Sequence, residues 1–186
     1  MSHMPHTPRK LRIEEMERLA PKEYQQVTHR PITIVLDNIR SMHNVGSIFR
    51  TADALRLEQI ILCGITGCPP HVEIHKSALG AEEAVPWHYF DQTTEAIRCL
   101  QKRGYQTWAL EQAEGSLSLR EMQEHLGAPI PIALVLGNEV EGVQQKVIDL
   151  CEGVIELPQY GTKHSMNVSV AGGIAMWALS EAYPLF

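Results

Sequence analysis

The sequence predicts an α/β domain built on a mostly parallel sheet flanked by helices. Two observations predict it. From residue 31 onward, short β-rich apolar runs alternate with amphipathic stretches, the pattern left when helices cover both faces of a parallel sheet. Glycine-punctuated polar junctions follow directly on three of those runs, where open parallel sheets place their ligand crevices. A length of 186 residues fits one core and leaves no room for a second catalytic domain.

Taken in order, residues 14–25 read as a leader helix. They belong to an N-terminal helical extension over residues 1–30, and the α/β domain occupies 31–186. Strands are expected at 32–36, 59–63, 85–89, 106–110, 132–136 and 154–157. The run ending at Leu136 is uniformly apolar. Helical period marks 46–55, 93–102, 119–125, 144–150 and 168–182. No repeat at 20–50 residues is visible, which removes solenoid architectures.

Composition narrows the function classes. Apolar residues make up 44% of the chain, an ordinary globular value. The longest apolar stretch, 170–179, is about half of the roughly 20 residues a membrane span needs. No signal-peptide core opens the chain, so a cytoplasmic protein is expected. Cys63, Cys68, Cys99 and Cys151 are irregularly spaced and read as reduced thiols. His71 and His75 stand four apart without a further ligand pattern, and no metal is expected. The net charge of −6 opposes a nucleic-acid partner, but its distribution does not: residues 1–30 carry +2, with Arg9, Lys10, Arg12, Arg18, Lys22 and Arg30 as cations.

The three junctions carry the chemistry. The first, residues 37–50, leads through a polar loop into a helix opening near Asn44 and Gly46, with Arg50 a turn later. An arginine at that end opposes the helix dipole and calls for an anionic partner, unless it pairs with Asp37 or Asp53. The second, residues 136–142, has Gly137 and Gly142, which permit close backbone approach, and Glu139 and Glu141 between them. It matches neither GxGxxG nor a P-loop. The third, residues 157–167, combines Pro158, Gly161, Ser165 and Asn167 ahead of a small-residue helix, with Ser165 in position to serve as an N-cap.

In this order, the junctions resemble the three motifs of the SpoU/TrmH branch of the SPOUT methyltransferases, over about residues 31–183. Residues 38–52 resemble motif 1 through Asn44, Gly46 and Arg50. Residues 135–142 resemble motif 2 through Gly137, Glu139 and Gly142, and residues 155–171 resemble motif 3 through Leu157, Pro158, Ser165 and Asn167. The resemblance implies a deep C-terminal trefoil knot, a rare exception to un-knotted topology. It also implies S-adenosylmethionine held among Leu110, Gly137, Leu157, Ser165 and Met166, and a homodimer whose site is completed across the interface. The implied reaction is 2'-O-methylation of a ribose in structured RNA, tRNA before rRNA, with Arg50, Asn44, Glu139, Ser165 and Asn167 as the catalytic set.

A free arginine holds its proton to above about pH 12, so Arg50 either acts as a base with assistance or only binds the target phosphate and orients the hydroxyl. Rival readings are a non-catalytic knotted RNA-binding protein, a dinucleotide oxidoreductase and a serine hydrolase on Ser165. The last two lack GxGxxG and GxSxG respectively.

Overall fold

A computed structural model describes residues 9–125 and 130–185. Seven strands form one sheet: β1 Arg30–Asp37, β2 Leu57–Cys63, β3 Trp87–Phe90, β4 Gln106–Leu110, β5 Leu117–Ser118, β6 Ile132–Gly137 and β7 Gly153–Glu156. Their order is β3-β2-β1-β6-β4-β7-β5, and every neighbouring pair is parallel. The expected α/β class is therefore the observed one. β6 lies between β1 and β4 and is buried along its whole length, as its apolar run requires.

Helices α2 Met42–Ala54, α3 Val72–Ala78, α5 Thr93–Lys102, α6 Leu119–His125 and α8 Val168–Glu181 cover the sheet, joined by the single turns α1 Pro21–Tyr24, α4 Ala81–Ala84 and α7 Gln145–Ile148. Two apolar clusters result, one holding Ile34, Leu36, Phe49, Leu134 and Met176, the other Val35, Ile61, Ile97, Ala133 and Val135. Alternate residues of β1 and β6 thus point to opposite layers.

The continuous leader helix over 14–25 does not form. A 3-10 turn at Ile13–Met16 ends at Glu17, whose φ of 47° is left-handed, and Pro21 opens α1 at its first turn. Proline is accommodated there, whereas a continuous helix would set it in the interior against the preceding turn. Residues 1–8 of the expected extension lie outside the described residues. Tyr24 nevertheless docks on the domain, 3% exposed and donating to Leu57 O at 2.9 Å. Helices α3 and α4 and the short strand β5 were not legible in the pattern.

Helix α2 begins four residues earlier than its period suggests, because Ser41 caps it by accepting from Asn44 N at 3.3 Å. Arg50 therefore sits past the middle of the helix, and the dipole gives no reason for its placement. Gly46 has a packing role: a Cβ there would lie 2.1 Å from Ser77 Oγ and 2.3 Å from Ile74 O, so glycine permits the close approach of α2 and α3.

Asp37, fully buried at the end of β1, fixes the sheet edge below the site. It accepts from Gln144 N at 3.0 Å, Gln144 Nε2 at 2.8 Å, Thr93 Oγ1 at 2.5 Å and Asn38 Nδ2 at 2.9 Å. Removing an acceptor of this kind strands several donors. Asp37→Ala should cost about 3 kcal/mol and lower Tm by roughly 6–12 °C, read by thermal melting.

Candidate functional site

Parallel pairing brings the carboxyl ends of β1, β6, β4 and β7 to one edge, with Asp37 opposite Gly137 and Leu110 opposite both Leu136 and Ile155. The chain leaving β4, β6 and β7 there, with the segment leaving β1 behind it, lines a cavity of about 460 Å³. That is the size of a small-molecule site.

All five expected cofactor residues, Leu110, Gly137, Leu157, Ser165 and Met166, line it, as do Glu139 and Asn167. Asn44 sits just behind that wall. Its Nδ2 donates to Glu139 Oε1 at 2.9 Å, and its Oδ1 accepts from Asn167 Nδ2 at 3.1 Å. One residue from each of the three junctions thus joins a single hydrogen-bonded chain. Asn167 also caps α8, accepting from Ser169 N at 2.9 Å and Val170 N at 3.3 Å. The cap expected at Ser165 therefore falls on Asn167, leaving Ser165 exposed on the cavity wall.

Arg50 is placed differently. It is exposed, does not line the cavity, and its side chain has no hydrogen bond or ion pair among the described residues. Neither suggested partner holds it: Asp37 is taken up by Thr93, Gln144 and Asn38.

Glu139 closes the loop between β1 and α2 against β6 by accepting from Arg40 N at 2.9 Å and Ser41 N at 3.0 Å. Partial burial pushes its carboxyl up, but the donors Arg40 N, Ser41 N and Asn44 together outweigh burial and hold it below the ordinary carboxylate range. A depressed folded-state value means that the contribution is complete above the unfolded value of about 4.3 and is lost as pH falls through the folded one. Glu139→Gln should therefore be less stable than the parent at pH 7, and the gap should close on acidification below about pH 4. Denaturant melts at both pH values check this.

The glycines of the second junction serve the loop itself. A Cβ on Gly137 would lie 2.2 Å from both Gly142 C and Val143 N, and Gly142 adopts a φ of 70° with Glu111 Oε2 at 2.1 Å from its Cβ position. Asn138 holds this turn, its Oδ1 accepting from Val140 N at 2.9 Å and its Nδ2 donating to Asn38 O at 2.7 Å. The sequence reading passed over Asn138, although an Asn bonding the backbone two residues on is a familiar turn device. It also missed Glu111 and Gln112, which line the cavity beyond Leu110.

Elsewhere, His71 caps α3 by accepting from Glu73 N at 3.2 Å. Ligand atoms of His75, Glu82 and Glu83 lie within 4.8 Å of one another, with His75 Nδ1 at 2.6 Å from Glu82 Oε1. The four cysteines are free, and burial pushes the Cys63 and Cys151 thiols up to about 12.

The profile of the SpoU rRNA Methylase family matches residues 31–177. A 23S rRNA (guanosine-2'-O-)-methyltransferase, RlmB, of Vibrio parahaemolyticus is 33% identical over 147 residues, 79% of this chain and 58% of the relative. The chain thus spans under two thirds of the length of that relative. An AdoMet-bound rRNA methyltransferase from Sinorhizobium meliloti superposes with a TM-score of 0.74 at 28% identity, over 85% of this chain and 59% of the other. The A. aeolicus TrmH/SpoU tRNA modifying enzyme gives 0.75 at 25% identity, over 87% and 81%. The match runs through all three junctions that meet at the cavity, and the chain belongs to the SpoU rRNA methylase family.

Proposed function

We propose that this chain binds S-adenosylmethionine in the cavity at the sheet edge and methylates a ribose 2'-hydroxyl of structured RNA. The observation that carries this reading is the hydrogen-bonded chain Glu139–Asn44–Asn167, which unites the three family motifs at the cavity wall. The lining suits the cofactor: Glu111, Glu139 and Glu141 are present and Lys and Arg are not, a charge set that favours a cationic sulfonium ligand. When bound, the cofactor supplies an activated methyl group.

The protein's part is alignment, with the hydroxyl proton passing to the neighbouring RNA phosphate or to solvent as attack develops. Glu139 and Asn167 fix Asn44, while Ser165 and Met166 line the cavity beside Asn167. Arg50 grips the phosphate beside the target ribose and orients the hydroxyl. Its exposure and lack of partners support service to the cavity of a second copy. Val170, Ile174 and Trp177 project apolar side chains at helical spacing from α8, 54%, 45% and 62% exposed, and support a homodimer through that helix. Threading of the segment before α8 through the knot expected of the family is part of the same reading. Gly172 supports it by admitting α8 close to Leu136 of β6.

The segment before residue 31 forms an RNA-gripping extension to the catalytic domain of residues 31–186. Lys10, Arg12, Arg18 and Lys22 are its exposed cations, whereas Arg9 pairs with Glu15 at 2.6 Å and Arg30 donates to Leu55 O and Ser180 O. The chain works with its RNA in the cytoplasm, and among the described residues no helix is long and apolar enough to cross a membrane.

Two RNA pools have support: rRNA from the name of the Vibrio relative, tRNA from the A. aeolicus enzyme, which this chain matches over more of its length. Labelled methyl transfer to total tRNA and to rRNA, with digestion to nucleosides, tests the reading. Label in a 2'-O-methylnucleoside of one pool is expected. Cofactor binding with transfer to neither pool would favour a knotted RNA-binding protein without turnover.

A further inference from the structure

The segment between β7 and α8 forms one wall of the cavity, yet Pro158 and every residue from Tyr160 to Ser165 are exposed. Such a segment has few apolar contacts to hold it and belongs to the low-stability part of a fold. Among the described residues, one hydrogen bond ties residues 158–166 to the rest of the chain: Gln112 Nε2 donates to His164 O at 2.7 Å. Both residues line the cavity.

The base of this tie is itself anchored. Glu111 leaves β4 with its backbone N–H donating to Ile155 O at 3.0 Å, and its carboxylate accepts from Gln112 N at 2.9 Å and Val143 N at 2.9 Å. The Glu111-Gln112 pair therefore spans from the second junction to the third, and the free end of the span is the Gln112 amide. The His164 carbonyl directly precedes the Ser165-Met166 wall, so fixing it fixes the turn that faces the ligand.

We propose that Gln112 is a positioning residue that latches the β7–α8 segment over the cavity and so sets the affinity and residence of S-adenosylmethionine. This rests on the reading that the cavity holds that cofactor. A latch made of one exposed hydrogen bond is worth a modest factor, about five- to tenfold in Kd. It also preorganises a segment that would otherwise be ordered at the cost of binding energy.

The test uses the full chain as the parent, Gln112→Glu and Gln112→Lys. Calorimetric titration with S-adenosylmethionine and amide exchange across residues 159–165 are the readouts. Glutamate keeps the shape but has no donor for a carbonyl, whereas lysine keeps a donor at similar reach. The charges run the opposite way. An added carboxylate favours a cationic ligand and an added ammonium disfavours it, so latch and charge predict opposite orders. The expected result is Kd raised about fivefold or more in Gln112→Glu, with faster exchange at 159–165 in the ligand-free protein and a rise in KM that exceeds any fall in kcat. Gln112→Lys should return both readouts close to the parent.

Parent-like or tighter binding in Gln112→Glu with unchanged exchange would overturn the latch. Failure of the parent to bind S-adenosylmethionine would overturn the functional reading instead. The two are told apart because the first leaves parent binding intact.

Discussion

Arg50→Ala should cut kcat/KM for RNA methylation by about 10²- to 10³-fold, with Tm and S-adenosylmethionine Kd at the parent values. The separation follows from where the side chain lies. It is exposed, lines no part of its own chain's cavity and has no partner among the described residues, so its removal leaves neither a hole nor an orphaned group. The loss would be of interactions made to RNA, which do not exist in the free protein. Mixing Arg50→Ala chains with chains disabled in the cavity adds a second readout. If Arg50 serves the other copy's site, hybrid dimers regain activity that neither variant has alone. No regain would place Arg50 within its own chain's site.

Gly137→Ala should have the largest effect on the cavity. The added methyl would stand 2.2 Å from two backbone atoms of Gly142 and Val143, where no rotamer change gives relief. β6 is paired on both sides at this level, through Asp37 and through Leu110 opposite Leu136, so the turn at 138–142 must give way. Overpacking of this kind costs about 2–3 kcal/mol and should lower Tm by roughly 4–12 °C. Displacing the turn also moves Glu139, which holds Arg40, Ser41 and Asn44. S-adenosylmethionine should therefore bind more than about tenfold more weakly. A variant with parent-like Tm and Kd would show that the turn accommodates a side chain.

Much of the site was legible because it is local. The five cavity-lining residues expected at the cofactor and all five residues expected to be catalytic lie in the three strand-end junctions or at the end of β4, where chain direction alone places ligand residues. Helix starts were less legible. A periodic pattern registers only the buried face, so α2 was read from Gly46 although Ser41 caps it, and the N-cap of α8 was assigned to Ser165 rather than Asn167. The leader helix failed because Pro21 outweighs a favourable composition.

The sequence by itself determined the α/β class, the six longer strands to within two residues at most of their ends, and the three segments that meet at the site. These are properties of short stretches, set by periodicity, glycine and polar placement. Tertiary structure alone decided that Asn44, Glu139 and Asn167 form one chain of hydrogen bonds, that Arg50 stands outside the cavity, that Gly46 and Gly137 are demanded by packing, and that Glu111 and Gln112 complete the walls. Each of these depends on residues far apart in sequence meeting within a few ångströms, and hydrogen bonds and close contacts of that range leave no period or spacing for a single sequence to show.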